Sequence, residues 1–162
     1  MPRLGVQSPQ KGVSMRVAGE YTIEAPPERV WEALMDPEVL AGTLPGFKSL
    51  EEVAENVFEG SLALGVGPVQ GRFNGKLSLK ELQPPSSYRL HLDGRGAPGF
   101  VDGEGEVKLE ASPEGTTLLY DVEVTVGGKI AGVGQRMLEM VSRTLTKQAL
   151  DRLSKAIVAA TE

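Results

Sequence analysis

The spacing of apolar positions changes along the chain, and each change predicts an element. Arg16 to Glu24 alternates, with Val17, Tyr21 and Ile23 on one face and Arg16, Glu20, Thr22 and Glu24 on the other, which is the pattern of a half-buried strand. Pro26-Pro27-Glu28 opens a helix, since proline suits the first turn and a carboxylate suits its dipole; Val30, Trp31 and Leu34 give it an apolar stripe. Asp36-Pro37-Glu38 is a second start signal, an N-cap aspartate ahead of a proline, and Leu44-Pro45-Gly46 stops that short helix.

From Phe47 onward the period is two. Phe58, Leu62, Leu64 and Val66 share a face, Gly67-Pro68 turns the chain, and Val69, Phe73, Leu77 and Leu79 then oppose Gln70, Arg72, Asn74, Lys76, Ser78 and Lys80. Pro84 to Ser87 interrupts the alternation, Tyr88, Leu90 and Leu92 resume it, and the glycine cluster from Gly94 to Gly99 interrupts it again. Val101, Gly103, Gly105, Val107 and Leu109 face away from Asp102, Glu104, Glu106, Lys108 and Glu110. After the turn at Ser112 to Gly115 come Leu118, Tyr120, Val122, Val124 and Val126. Connections this short predict an antiparallel meander.

Past Gly127-Gly128, Ile130, Val133, Met137, Val141, Leu145, Ala149, Leu153 and Ala156 recur at spacings of three and four. This predicts one helix from Lys129 to Ala160, roughly 45 Å long. A lone amphipathic helix that follows a run of strands can bury its stripe only on the face of their sheet. The fold class is therefore α+β: a curved antiparallel sheet of six or seven strands gripping a long C-terminal helix, with two short helices after the first strand and space for a cavity inside.

Composition narrows the function. At 162 residues, 40% hydrophobic and 24% charged, the chain matches one globular domain. A net charge of -5 argues against nucleic acid, whose phosphates need a basic face. With no cysteine there is no disulfide, thiolate metal site or cysteine nucleophile, and the expected compartment is the cytoplasm. No apolar run approaches the ~18 residues that cross a bilayer. Residues 1–14, with Pro2, Gly5, Pro9 and Gly12, read as a flexible tail without the hydrophobic stretch of a signal peptide. Aromatic residues make up 5% of the chain and glycines number 20, which suggests an under-filled interior.

Several motifs have chemistry attached to them. Gly94-Arg95-Gly96-Ala97-Pro98-Gly99 fits the G-x-G-x-x-G spelling, but a dinucleotide site needs a helix N-terminus directly after the glycines, and a strand pattern follows here. A glycine-rich hairpin is the better reading. Gly127-Gly128-Lys129 and Gly132-Val133-Gly134 stand between strand and helix without P-loop spacing, so they read as close-packing glycines. The only histidine, His91, falls on the polar face, as do Asp102, Glu104, Glu106 and Glu110, which makes a solvated outer face a better reading than a catalytic or metal site. No metal ligand set, cofactor site or catalytic residue is predicted. Lys129, Arg136, Arg143 and Lys147 form a basic row that can meet an acidic partner or lipid headgroups.

The string Gly19 to Ile23, then Ala25-Pro26-Pro27-Glu28-Arg29-Val30-Trp31-Glu32-Ala33-Leu34, Asp36-Pro37-Glu38-Val39-Leu40 and Leu44-Pro45-Gly46, resembles the CoxG family, named for the G component of carbon monoxide dehydrogenase, within the START-like (SRPBCC) superfamily. Gly67-Pro68, Phe73 with Gly75, the Gly94 to Gly105 glycines, Gly115-Thr116, and Gly128-Lys129-Ile130-Ala131 with Gly134-Gln135-Arg136 extend the resemblance to most of the chain. Thr43 stands where members often have a cysteine. The resemblance implies a START-like domain over residues 15–162, a helix-grip fold with an apolar cavity, and a link to the maturation or quinone supply of a molybdenum hydroxylase.

Together these readings predict a non-catalytic protein that holds a hydrophobic small molecule, a quinone or lipid, between Phe58, Leu62, Phe73, Leu77, Met137, Val141 and Leu145. Its expected partner is a molybdenum-containing CO dehydrogenase-type enzyme, and its expected location is cytoplasmic or peripheral at the inner face of the membrane. The rival readings are a cyclase or hydrolase working in the same cavity through Tyr21, Tyr120 or His91, and a docking or chaperone module for a larger enzyme.

Overall fold

The computed structural model describes residues 12–43 and 46–161, without the side chains of residues 47–49 and 161. The predicted tail up to Lys11 and the Leu44-Pro45 part of the predicted turn lie outside the described residues. Strand β1 (Val13–Ile23) begins two residues before the predicted domain boundary. Helices α1 (Pro27–Leu34) and α2 (Pro37–Ala41) follow at once. Then come β2 (Phe47–Ala54), β3 (Val57–Val66), β4 (Val69–Gln83), β5 (Ser87–Gly96), β6 (Gly99–Ser112) and β7 (Gly115–Gly127), and finally α3 (Gln135–Thr161).

The strands form one seven-stranded antiparallel sheet in the order β1-β7-β6-β5-β4-β3-β2. Consecutive strands are neighbours because their turns are short, and β1 closes the order by pairing with the last strand, Val17 opposite Val122. The short helices start where the capping residues require. Pro27 opens α1 with Glu28 in its first turn, and Asp36 Oδ1 accepts from the Glu38 amide at 2.9 Å to cap α2. The buried hydroxyl of Thr116 donates to the Ala25 carbonyl at 2.7 Å and holds the chain entering α1 against β7.

The predicted helix from Lys129 is interrupted. Lys129–Val133 forms a 3-10 turn, and Gly134, at φ 96°, starts the α-helix afresh at Gln135. A residue at positive φ cannot continue a right-handed helix, so the two segments do not share one helical phase. The buried stripe of α3 is Leu138, Val141, Leu153 and Ile157.

The core has two parts. One gathers Trp31, Leu34, Phe58, Leu79, Tyr88, Leu109, Leu153 and Ile157 beneath the short helices, with the Trp31 and Tyr88 rings edge to face at 5.7 Å. The other gathers Met15, Val69, Phe73, Val126, Ile130, Leu138 and Val141 under the first half of α3. Between α3 and the concave face the packing of this second part is incomplete.

Candidate functional site

The gap is a cavity of about 350 Å³. Alternation puts every second residue of β3, β4 and β5 on the concave face, and α3 covers that face with Leu138, Val141, Ser142 and Leu145. Leu40 and Thr43, at the end of α2, complete one side. Leu92 lines the cavity and is still 39% exposed, so the cavity opens to solvent beside β5.

Of the predicted wall residues, Leu62, Phe73, Leu77, Val141 and Leu145 line this cavity. Phe58 and Met137 do not, and each is a correction with its own cause. Phe58 lies on the correct face but opposite Leu77 toward the α1 end, where it is 1% exposed inside the closed core with Trp31. Strand period reports the face and is silent on position along the strand. The three-and-four spacing aligns Met137 with Ile130 through a helix that Gly134 breaks; the restarted helix turns Leu138 inward in its place. Ser142 and the register partners Gly60, Gly75 and Gly94 also line the cavity, and none of them is among the predicted wall residues. The glycines carry a readable signal, since they occupy apolar-face positions in otherwise alternating strands.

The wall is poor in reactive groups. Thr43 Oγ1 donates to the Leu40 carbonyl at 2.7 Å, and the Ser142 hydroxyl reaches Met15 Sδ at 3.6 Å. Lys76 lies along the wall, but strand alternation sends its side chain to the convex face, in register with Glu59 and Asp93. Tyr21, Tyr120 and His91, the candidate acids and bases, are not among the lining residues. The Tyr21 hydroxyl donates to Asp151 Oδ1 at 2.6 Å; burial and then this carboxylate push its pKa above the usual phenol value. Asp151 sits below the usual carboxylate range, held there first by Tyr21 and then by Lys147. Burial alone pushes the Tyr88 phenol up.

His91 lies on the outer face, its Nε2 2.8 Å from Asp102 Oδ1. Among the described residues no group of three His, Asp or Glu side chains is placed to hold a metal. The glycine motif from Gly94 forms the β5–β6 hairpin, Gly96 opposite Gly99, and continues as a strand. The Ile130 amide donates to the Pro98 carbonyl at 2.8 Å, so the glycines after β7 seat the 3-10 turn on that hairpin.

The basic row is exposed but divided. Lys129 belongs to the 3-10 turn, while Arg136, Arg143 and Lys147 stand on α3 with Met140, 47% exposed, among them. Lys147 Nζ donates to Asp151 Oδ2 at 2.9 Å. No helix among the described residues is long and apolar enough to cross a membrane.

Comparison with known proteins agrees with this geometry. A conserved protein from Geobacillus kaustophilus is 34% identical, with a TM-score of 0.84 over 91% of this chain and 97% of that one. The ZhuI aromatase/cyclase from Streptomyces sp. R1128 shares the fold at 16% identity and a TM-score of 0.68, covering 93% and 97% of the two chains. A protein from Thermus thermophilus does so at 20% identity and 0.66, covering 93% and 100%. No curated protein matches the sequence. The sequence profile of CoxG, the G component of carbon monoxide dehydrogenase, matches residues 19–158, and with the START-like helix-grip architecture around it the chain belongs to the CoxG family.

Proposed function

We propose that this chain is a non-catalytic carrier that holds one hydrophobic small molecule, a lipid or quinone, between the sheet and α3. The observation that supports this reading is the apolar cavity of about 350 Å³ with its opening beside Leu92. An apolar cavity of ~150 Å³ is known to stay dry and admit benzene, so this one has room for about two rings or a chain of similar bulk. Each buried methylene contributes about 0.8 kcal/mol, so some ten carbons give roughly 8 kcal/mol, equivalent to micromolar binding before the cost of association. A ligand must therefore fill most of the space to be held.

The absence of a paired acid and base among the lining residues favours a carrier over a cyclase or hydrolase, which needs a proton donor or acceptor at the reacting atom. A role accessory to a molybdenum-containing CO dehydrogenase-type enzyme in the cytoplasm follows from the family. The exposed Arg136, Met140 and Arg143 would then be the surface that meets that enzyme or the inner face of the membrane. Thermal-shift titration with quinones and fatty acids tests the carrier reading. A binder at a hundred times its Kd raises Tm by about 5–10 °C. No shift with either class, together with no co-purifying small molecule, contradicts it.

A further inference from the structure

We infer that Gly75 and Gly94 are specificity-determining residues of the cavity: by leaving the middle of its floor without side chains, they admit a ligand whose buried part is broader than a single hydrocarbon chain. The inference rests on the carrier reading above and concerns what the carrier accepts.

Three rows cross β3, β4 and β5 in register on the concave face. Phe58, Leu77 and Leu92 form one, Leu62, Phe73 and Gly96 another, and between them run Gly60, Gly75 and Gly94. The flanking rows are four residues apart along each strand, about 13–14 Å, and three strands span about 9–10 Å. Carbon contact distances of about 4 Å at each flank leave roughly 5–6 Å for ligand atoms along the strands, more than a single-file chain fills.

These two glycines differ from the others in the same hairpins. A Cβ on Gly96 would stand 2.0 Å from the Arg72 carbonyl oxygen, and one on Gly105 would stand 2.1 Å from that of Asp121, so backbone approach requires glycine there. At Gly75 the nearest atom to such a Cβ is 3.5 Å away, and at Gly94 it is 3.8 Å away, which is ordinary contact. Neither residue has a positive φ. The fold therefore has no need of glycine at either position, and glycine inside a strand weakens it. What both positions provide is volume at the wall of the cavity, which they line.

The test uses the full chain and two probes, the uncharged bicyclic fluorophore phenylnaphthylamine and the linear dodecanoate, with Gly94→Ala, Gly94→Val and Gly75→Ala. Wild type is expected to bind both. Each variant is expected to melt at or above the wild-type temperature, to lose about tenfold in affinity for the bicyclic probe, and to keep its affinity for dodecanoate. The alanine variants keep the test valid if valine disturbs the sheet. Folded variants that bind the bicyclic probe as wild type does, or that lose both probes equally, overturn this inference and leave the carrier reading standing. A wild-type protein that binds neither probe overturns both.

Discussion

The Tyr21 hydroxyl donates to Asp151 Oδ1 at 2.6 Å and so fastens the first strand to the last helix across 130 residues of chain. Lys147 Nζ holds the other carboxylate oxygen at 2.9 Å. Asp151 therefore titrates below its ordinary range and Tyr21 above its own. The carboxylate contributes stability above the unfolded-state pKa of about 4 and loses it as pH falls through its lower folded value. The phenol contributes below about pH 10 and loses it as pH rises through its higher folded value. Tyr21→Phe is expected to melt below wild type at pH 7, with the gap narrowing toward pH 2 and again above pH 10. A gap that stays constant across the titration contradicts the assignment.

Filling the cavity should separate binding from folding. Leu145→Phe adds bulk to a lining residue and is expected to lower affinity for an apolar probe about tenfold while the protein stays folded. Phe58→Leu, in the closed core, is expected to cost about 1 kcal/mol of stability and leave affinity unchanged. Fluorescence titration and urea denaturation check both, and the reverse pattern would show that the wall has been misplaced.

The glycines of the sheet divide in their demand for space. Gly105→Ala forces a Cβ against the Asp121 carbonyl and is expected to destabilise by about 1–3 kcal/mol. The lone Trp31, packed on Tyr88, reports the loss through its fluorescence during denaturation. Equal stability of Gly105→Ala and wild type would contradict the β6–β7 register.

Charge reversal at Arg136 and Arg143 should act on docking alone. Association with an acidic protein or anionic vesicle surface is expected to weaken and to lose its salt dependence, while probe binding stays at wild-type affinity. Sedimentation with each surface at low and high salt checks this, and undiminished association removes α3 as the docking face.

Much of this architecture was legible in the sequence because local chemistry and tertiary structure agree. Pro26-Pro27-Glu28 and Asp36-Pro37-Glu38 predict two helix starts, and the helices begin at Pro27 and Pro37. The alternation from Val69 to Lys80 predicts one strand face, and Val69, Phe73 and Leu79 are buried on it. What escaped was information that alternation and spacing do not carry. Gly134 resets the phase of the final helix, so Leu138 and Ser142 take the inward positions that a continuous helix would have given to Met137. How far along the strands the core is filled depends on where α1 lies, which put Phe58 in the closed part and Leu62 in the open one. The meeting of Gly60, Gly75 and Gly94 is a matter of strand register, and register is set by three turns acting together.

Native mass spectrometry of the protein purified without detergent is the most direct test of the central claim, that the space between α3 and the sheet holds an apolar guest. The account predicts a species heavier than the 17.3 kDa chain by the mass of one hydrophobic small molecule, and loss of that species in Leu145→Phe. A bare chain mass that persists after incubation with quinones and fatty acids would contradict it.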